Sequence, residues 1–592
     1  MAHGEPQQID TVIVGNGPSA LILSYILHGN IPCYDESSPH PDHILHDKLV
    51  RWCQQQHHDH DDALADNLLN LDIDALTEHF TASRFSYSTQ ALPVNVLLDT
   101  LVRPLGETDD AQKKTCVKWR HDSSQAVSHL VVGNTPRAGG QWVDNPVHAS
   151  WDIGTLSYAG MISLPEYGFD EHYERRHGRP MPVYLRPSRR AVADYLAAYP
   201  EQVGINDSIS NGQQVSGVSR HGGGFYIASH NILCRNLVLA SGIFSHMIPP
   251  PPLLQALASL PDNNAEMETD ALLVIGSGFS AADVIISSAP TRKILHVYKW
   301  APSTSPSPLR ACHQQAYPEY AGVYRRMKLA AISSSHQQPK DKRSHRRPRP
   351  RQRHAQSDFD LSRDWDSTYE GLPNAEIADV EMPDDGTALV TFTMRTGFAD
   401  PTGSADPNAS APSFQRRVSG LAYVVGRRGS LEYLSPELLK EVLPRDTSSR
   451  DKRAMVSGHT LREKANADLE VAPHVFIIGS VTGDSLIRFA YGGCTYAAGK
   501  IMTRRSSAGG ANGNRNGSGG GSNAANGESL LASTDKDKDK GMNSIHVSLR
   551  ESAGRCQTPS PKIPAMNGLD GHAPSPASLA EKGMSLDRRK ES

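Results

Sequence analysis

The chain has little of what would mark a disulfide, metal or membrane protein. Its seven cysteines, Cys33, Cys53, Cys116, Cys234, Cys312, Cys494 and Cys556, form no C-x-x-C pair. That scatter fits a reducing compartment and argues against a thiol–disulfide reductase, which needs two thiols close together. No apolar run is long enough for a bilayer span. The opening MAHGEPQQID lacks the charged and apolar regions of a secretory signal. Ala2 stands where N-myristoylation needs glycine. Charge of one sign is also scarce: the net is −4, which predicts no specific nucleic-acid partner and no pull toward anionic membranes. No repeat of solenoid period is visible. These absences lead us to expect a soluble cytoplasmic protein without a transmembrane segment.

What is present begins at residue 11. Thr11 to Val14 is a short apolar run of buried-strand type, followed by Gly15, Gly17 and Ala20 in G-x-G-x-x-A spacing. Leu21 to Leu27 then form an apolar helix closed by Gly29. Strand, glycine turn and helix make the first half of a dinucleotide-binding unit. Gly15 permits the turn, Gly17 admits a pyrophosphate, and Ala20 lets the helix pack close. Asn30 to Tyr34 reads as the second strand, and Asp35, 20 residues after Gly15, reads as the acid for the ribose hydroxyls, with Glu36 beside it.

A second copy follows. Ala271 to Ile275 is again a strand, and Gly276, Gly278 and Ala281 repeat the spacing before a helix. The next strand, Ile294 to Tyr298, ends at Lys299 rather than an acid, which suits a 2′-phosphate and so NADP over NAD. Between the copies, Gly139-Gly140-Gln141-Trp142 forms a turn after the apolar strand Leu130 to Val132. Its glycines allow close backbone approach, and the indole of Trp142 can pack beside a ring system; an ordinary turn with a core tryptophan is the alternative. Asn236 to Gly242 is a buried strand running into a small-residue turn. Near the end, Val475 to Ile478 is a strand and Gly479 a turn. Asp484 precedes a helix starting around Gly492 and Gly493. An acid there can hold a ribityl chain, and a helix N-terminus can stabilise electron density on a flavin ring.

The fold expected is α/β, with two Rossmann-like dinucleotide-binding domains, the first discontinuous. Residues 1–268 read as its first segment, 269–425 as the second domain, 426–503 as the segment that returns to complete the first, and 504–592 as a disordered tail. Three polar stretches interrupt this plan. KDKRSHRRPRPRQRH, within Ser333 to Ser357, reads as a disordered basic insertion, with nuclear import or protein partners as the alternative use. Ala399 to Ser413 reads as a loop. QQQHHDHDD at Gln54 to Asp62 holds His57, His58 and His60, but in no standard ligand spacing, so it reads as a solvated loop and no metal is expected.

Taken together, these residues resemble the two-dinucleotide-domain flavoproteins, which include flavin-containing and N-hydroxylating monooxygenases. Within that class the likeness is to the oxidative stress-induced growth inhibitor family. It rests on VGNGPSA (Val14 to Ala20), the region His40 to Leu49, GGQW (Gly139 to Trp142), GSGFSAAD (Gly276 to Asp283), YPEYAGV (Tyr317 to Val323) and GDSLIRFAYGG (Gly483 to Gly493). The resemblance covers roughly Ile9 to Thr503, apart from the insertions. It implies an FAD- and NADPH-dependent monooxygenase acting with dioxygen on a small molecule, and a role in growth and cell division. It implies that Gly15, Gly17, Ala20, Asp35, Gly140, Trp142 and Asp484 hold FAD, with Gly479, Gly492 and Gly493 beside them. Gly276, Gly278, Ala281 and Lys299 would hold NADPH. Arg488 matches a position in the last motif, where a structural salt bridge is the simplest role. The F-x-G-x-x-x-H pattern that such monooxygenases carry before the second glycine motif is missing from Pro249 to Asp270. That absence supports a second reading, a regulatory or redox-sensing protein on a flavoprotein scaffold. No catalytic residue is nominated.

Overall fold

The computed structural model describes residues 5–59, 66–105, 115–260, 271–335, 358–394, 412–444 and 454–513. The basic run, His60, nearly all of 399–413 and the tail beyond 513 lie outside them.

Two sheets organise the described residues. The first runs in the order Glu470–Ala472, Val475–Ile477, Ile232–Leu239, Gln7–Val14, His129–Val132, Ile209–Ser210. Along this path every pairing from Val475–Ile477 onward is parallel, while the hairpin Val218–His221 and Gly224–Ile227 adds antiparallel to Ile232–Leu239. Parallel strands need both faces covered, which explains their near-continuous apolar sequences. Val12, Ile13, Leu237 and Val238 are fully buried, as are Leu21, Ile22 and Leu23 of the helix Pro18–Leu27. That helix starts on Gly17 as N-cap with Pro18 inside its first turn, and Gly29 follows it at φ +93°. Val475–Ile477 returns to this sheet from the far end of the chain.

The second sheet has the order Tyr369–Pro373, Ile294–Tyr298, Ala271–Ile275, Ser413–Tyr423, Ala388–Met394, Ala375–Glu381. Its first four strands are parallel and its last two antiparallel. The helix Phe279–Ser287 packs on one face, and Leu254 and Leu257 join the core of the other.

The strand Asn30–Tyr34 forms where expected but does not join the first sheet. It pairs antiparallel with Val117–His121 in a separate two-stranded ribbon. The place beside Gln7–Val14 is taken by His129–Val132. Two further departures are local. Gln54 to Asp59 belongs to the helix His43–Asp59 and is not loop. The last helix, Ala490–Gly513, runs past Thr503.

The YPEY motif joins the two sheets' surroundings. Arg186 donates from Nε to the Thr155 carbonyl (2.7 Å) and from Nη1 to the Ala316 carbonyl (3.0 Å), and its guanidinium lies over the Tyr317 ring at 4.8 Å. Tyr317 donates to the Leu156 carbonyl, and Tyr320 donates to Asp283 Oδ1 on the second fingerprint helix at 2.8 Å.

Candidate functional site

A cleft of about 420 Å³ opens at the carboxyl ends of the first sheet's strands, where open α/β sheets bind ligands. Gly15, Asn16, Gly17 and Ser19 line it, with Gly133, Asn134 and Thr135 from the neighbouring strand's exit. Gly140, Gln141, Ala240 to Gly242 and Gly479 complete that wall.

The two glycines of the first fingerprint have different jobs. Gly15 sits at φ +115°, and a β-carbon there would collide with the Ala240 carbonyl. Gly17 has ordinary φ, and a β-carbon on it would meet nothing within 4 Å. Its open side is cleft. No side chain caps the helix, and the first intrahelical bond is Leu21 N–H to the Gly17 carbonyl. The amides of Ser19 and Ala20 therefore precede the helical ladder, the usual arrangement for an anion. Gly140, at φ +56°, places its Cα side 3.0 Å from the Gly17 Cα, counted from an added β-carbon, so the GGQW turn backs the phosphate turn. Ala20 is fully buried against the sheet.

Asn16 ties these pieces. It is 2% exposed, and its Nδ2 donates to Asn211 Oδ1 at 2.7 Å while Thr135 donates to its Oδ1 at 2.8 Å. Gly139 N–H donates to its carbonyl at 2.8 Å.

The second fingerprint repeats the pattern. Gly276, at φ +154°, would put a β-carbon 2.6 Å from the Val424 carbonyl, whereas Gly278 would meet only Pro308 at 3.9 Å. Gly278 caps its helix without a side chain. Ala281 is fully buried beneath Gly276. His296 supports this turn from below: its Nε2 is 2.7 Å from the Gly276 carbonyl and its Nδ1 2.9 Å from the Tyr369 hydroxyl. Burial pulls its pKa down to about 4, so the ring is neutral. Nε2 then donates to the carbonyl and Nδ1 accepts from the hydroxyl. Lys299 stands exposed at the end of its strand.

Several residues read as cofactor ligands lie elsewhere. Asp35 follows the strand that left the sheet. Its carboxylate accepts from the Ser37 amide and hydroxyl, and it does not line the cleft. Asn134 occupies the corresponding exit of His129–Val132. Trp142 packs on the hydrophobic core, and Gln141 faces the cleft instead. Asp484 is fully engaged: Arg462 donates to Oδ1 (2.7 Å), and the Leu92 amide (2.8 Å) and Asn95 side chain (2.7 Å) donate to Oδ2. A β-carbon on Gly492 would collide with the Val94 carbonyl, and the Gly493 amide donates to Asn95 Oδ1 at 2.8 Å. These three residues tie the last helix and the turn before it to the helix Pro93–Val102 and its N-cap. Arg488 makes a salt bridge, with Nε 2.8 Å from Asp99 Oδ2.

Asn134 escaped the sequence reading. Its signal was the short distance from the Leu130–Val132 run to GGQW, which places this strand's exit, not Asp35, next to the glycine turns.

Two sheets, each with a glycine turn beneath an uncapped helix N-terminus and one completed from both ends of the chain, define a fold of two Rossmann-like dinucleotide-binding units. The curated homologues are oxidative stress-induced growth inhibitors. The chain is 25% identical to Oxidative stress-induced growth inhibitor 1 of Mus musculus over 84% of its length and 96% of that protein. It is 28% identical to the Homo sapiens protein of the same name, over 55% of this chain and 71% of that one. No family model matches. Similar solved structures include a flavin-containing monooxygenase from Stenotrophomonas maltophilia (14% identity, 85% of this chain and 99% of that one, TM-score 0.41). Another is the bacillithiol disulfide reductase of Bacillus cereus (11% identity, 84% and 100%, TM-score 0.43).

Proposed function

We propose that this chain is an FAD-dependent, NADPH-linked oxidoreductase, with monooxygenation of a small molecule as its reaction. The observation that carries the reading is the pair of second glycines. Gly17 and Gly278 each leave open space in front of uncapped helical amides, while their partners Gly15 and Gly276 are pinned by neighbouring carbonyls. That is a cradle for two diphosphates. FAD, when bound, supplies hydride acceptance and dioxygen chemistry.

The chain's own residues bind and orient. The amides of Ser19 and Ala20 face the diphosphate, and Asn134, in place of an acid, can both donate to and accept from a ribose hydroxyl. Gln141 and Ser241 edge the cleft where a ring would lie. Lys299 is the candidate for a 2′-phosphate.

A specific observation favours the second reading, a regulatory protein on this scaffold. The acids expected at both sugars, Asp35 and Asp484, do not reach the cleft. One experiment separates the two. The purified protein is scanned for flavin absorbance, then mixed with NADPH in air. Bleaching followed by recovery supports the enzyme; bound flavin indifferent to NADPH supports the scaffold. Lys299→Ala should weaken NADPH more than NADH, and an unchanged preference removes Lys299 from the site.

A further inference from the structure

The last helix meets two other segments at two glycines. A β-carbon on Gly492 would collide with the Val94 carbonyl, and one on Gly499 with the Leu69 carbonyl. The two glycines stand about two turns apart, so they share one face of the helix. Thr495 and Tyr496 lie between these crossings, and there a second cavity of about 430 Å³ opens. Its size is that of a small-molecule site. It shares no lining residue with the cleft.

Leu68, Leu71, Ile73, Val94 and Leu98 make the cavity's walls apolar. Along the helix its polar groups fall into two places. Toward the start stands Thr495, 2% exposed, whose Oγ1 has no hydrogen-bond partner. Toward the end stand Lys500 and Arg504, one turn apart and both in the lining. Lys500 is exposed, with its ammonium 5.4 Å from the Tyr496 ring centroid. Arg504 donates from Nη2 to Glu470 Oε2 at 2.7 Å, and its Nη1 is buried without a partner. Arg363 Nη1 is likewise buried and unpartnered, but it lines neither this cavity nor the cleft. A buried polar atom left unmet is costly, and this cavity touches two residues that carry one. Its lining holds two positive side chains and no negative one. From Thr495 to Arg504 the helix rises about 13.5 Å. An extended chain advances about 1.2 Å per bond, so roughly eleven bonds cover that span.

We propose that this cavity binds a medium-chain aliphatic carboxylate that carries a hydroxyl at its far end. The carboxylate meets Lys500 and Arg504, the methylenes lie on the apolar walls, and the hydroxyl bonds Thr495. The site stands apart from the nucleotide-binding reading and does not require flavin.

The full chain is titrated calorimetrically with ω-hydroxydecanoate, which has an oxygen at each end of such a chain, and with decanoate and decanol. ω-Hydroxydecanoate should saturate a single site and bind about three- to tenfold more tightly than decanoate. Thr495→Val keeps the side chain's shape and should fold like wild type, because the hydroxyl has no partner to lose. It should cancel the advantage over decanoate. Lys500→Gln, at an exposed position, should weaken both carboxylates about three- to tenfold and leave decanol unchanged. Arg504→Gln should do the same; if it does not fold, Lys500→Gln carries the charge arm. Arg505→Gln, exposed and outside the lining, should change nothing. The proposal is overturned if ω-hydroxydecanoate shows no saturable binding or binds no better than decanoate. It is equally overturned if folded Thr495→Val or Lys500→Gln leaves the affinity for ω-hydroxydecanoate where it was.

Discussion

At the residue scale, the two glycines of one fingerprint separate folding from binding. Gly15 holds a left-handed backbone against the Ala240 carbonyl. Gly15→Ala should therefore cost about 2–4 kcal/mol from strain and overlap, seen as a lower urea midpoint. Gly17 faces open space. Gly17→Asp should unfold at nearly the wild-type midpoint yet lose FAD, because a side chain and a negative charge now fill the diphosphate position. Retained flavin at wild-type occupancy would contradict the phosphate turn. Asp35 gives the complementary outcome. Its carboxylate closes a local turn at Ser37, so Asp35→Ala should leave flavin affinity within about twofold. A calorimetric loss larger than tenfold would return Asp35 to the site.

At the element scale, the segment leading into the last helix is tied to the helix Pro93–Val102 by an ion pair. Asp99 receives Arg488 on one oxygen and Arg103 on the other, at 5% side-chain exposure. Asp99→Ala would remove the carboxylate to which Arg488, itself 11% exposed at the side chain, donates. The expected loss is about 3–5 kcal/mol, with faster amide exchange over residues 490–502 as its local sign. Elements are also where the sequence was read well and where it failed. Both fingerprints were legible because strand, turn and helix are consecutive, and local apolar runs report local burial. Asn30–Tyr34 was correctly a strand. Its partner could not be read, since pairing is decided by segments far along the chain. Val117–His121 captured it, and His129–Val132 took the vacant edge of Gln7–Val14. Asp35 left the site with its strand. Asp484 and the Gly492-Gly493 pair show another limit: the motif suits a cofactor and a tight helix crossing alike, and the crossing, with Val94 against Gly492, depends on a segment far along the chain.

At the scale of the whole molecule, acid should unfold this protein earlier than carboxylate protonation alone would. His40, His129 and His296 are each pushed down by burial to about 4. Their neutral rings serve as hydrogen-bonding parts, His129 with Ser24 and the Val127 carbonyl, His40 with Thr100 and the Asp42 amide. Between pH 6.5 and 4 the unfolded chain binds three protons that the native state refuses, so stability falls as pH falls. Asp283 opposes them. Burial raises it to about 6, so below that pH the native state keeps a proton the unfolded chain has released, and stability rises as pH falls. Each group contributes at most about 1.4 kcal/mol per pH unit within its window. His172, His230 and His474 are shifted the same way by burial, so the histidines outweigh the one aspartate and the net effect is loss of stability as pH falls. The urea midpoint should therefore drop steadily from pH 7 to pH 4.5. Asp283→Asn, which keeps an acceptor for Tyr320 but removes the opposing proton, should make that drop steeper. A midpoint that holds level or climbs across the window would mean that the three rings take up protons inside the native fold, and the neutral support of the Gly276 turn by His296 would go with it.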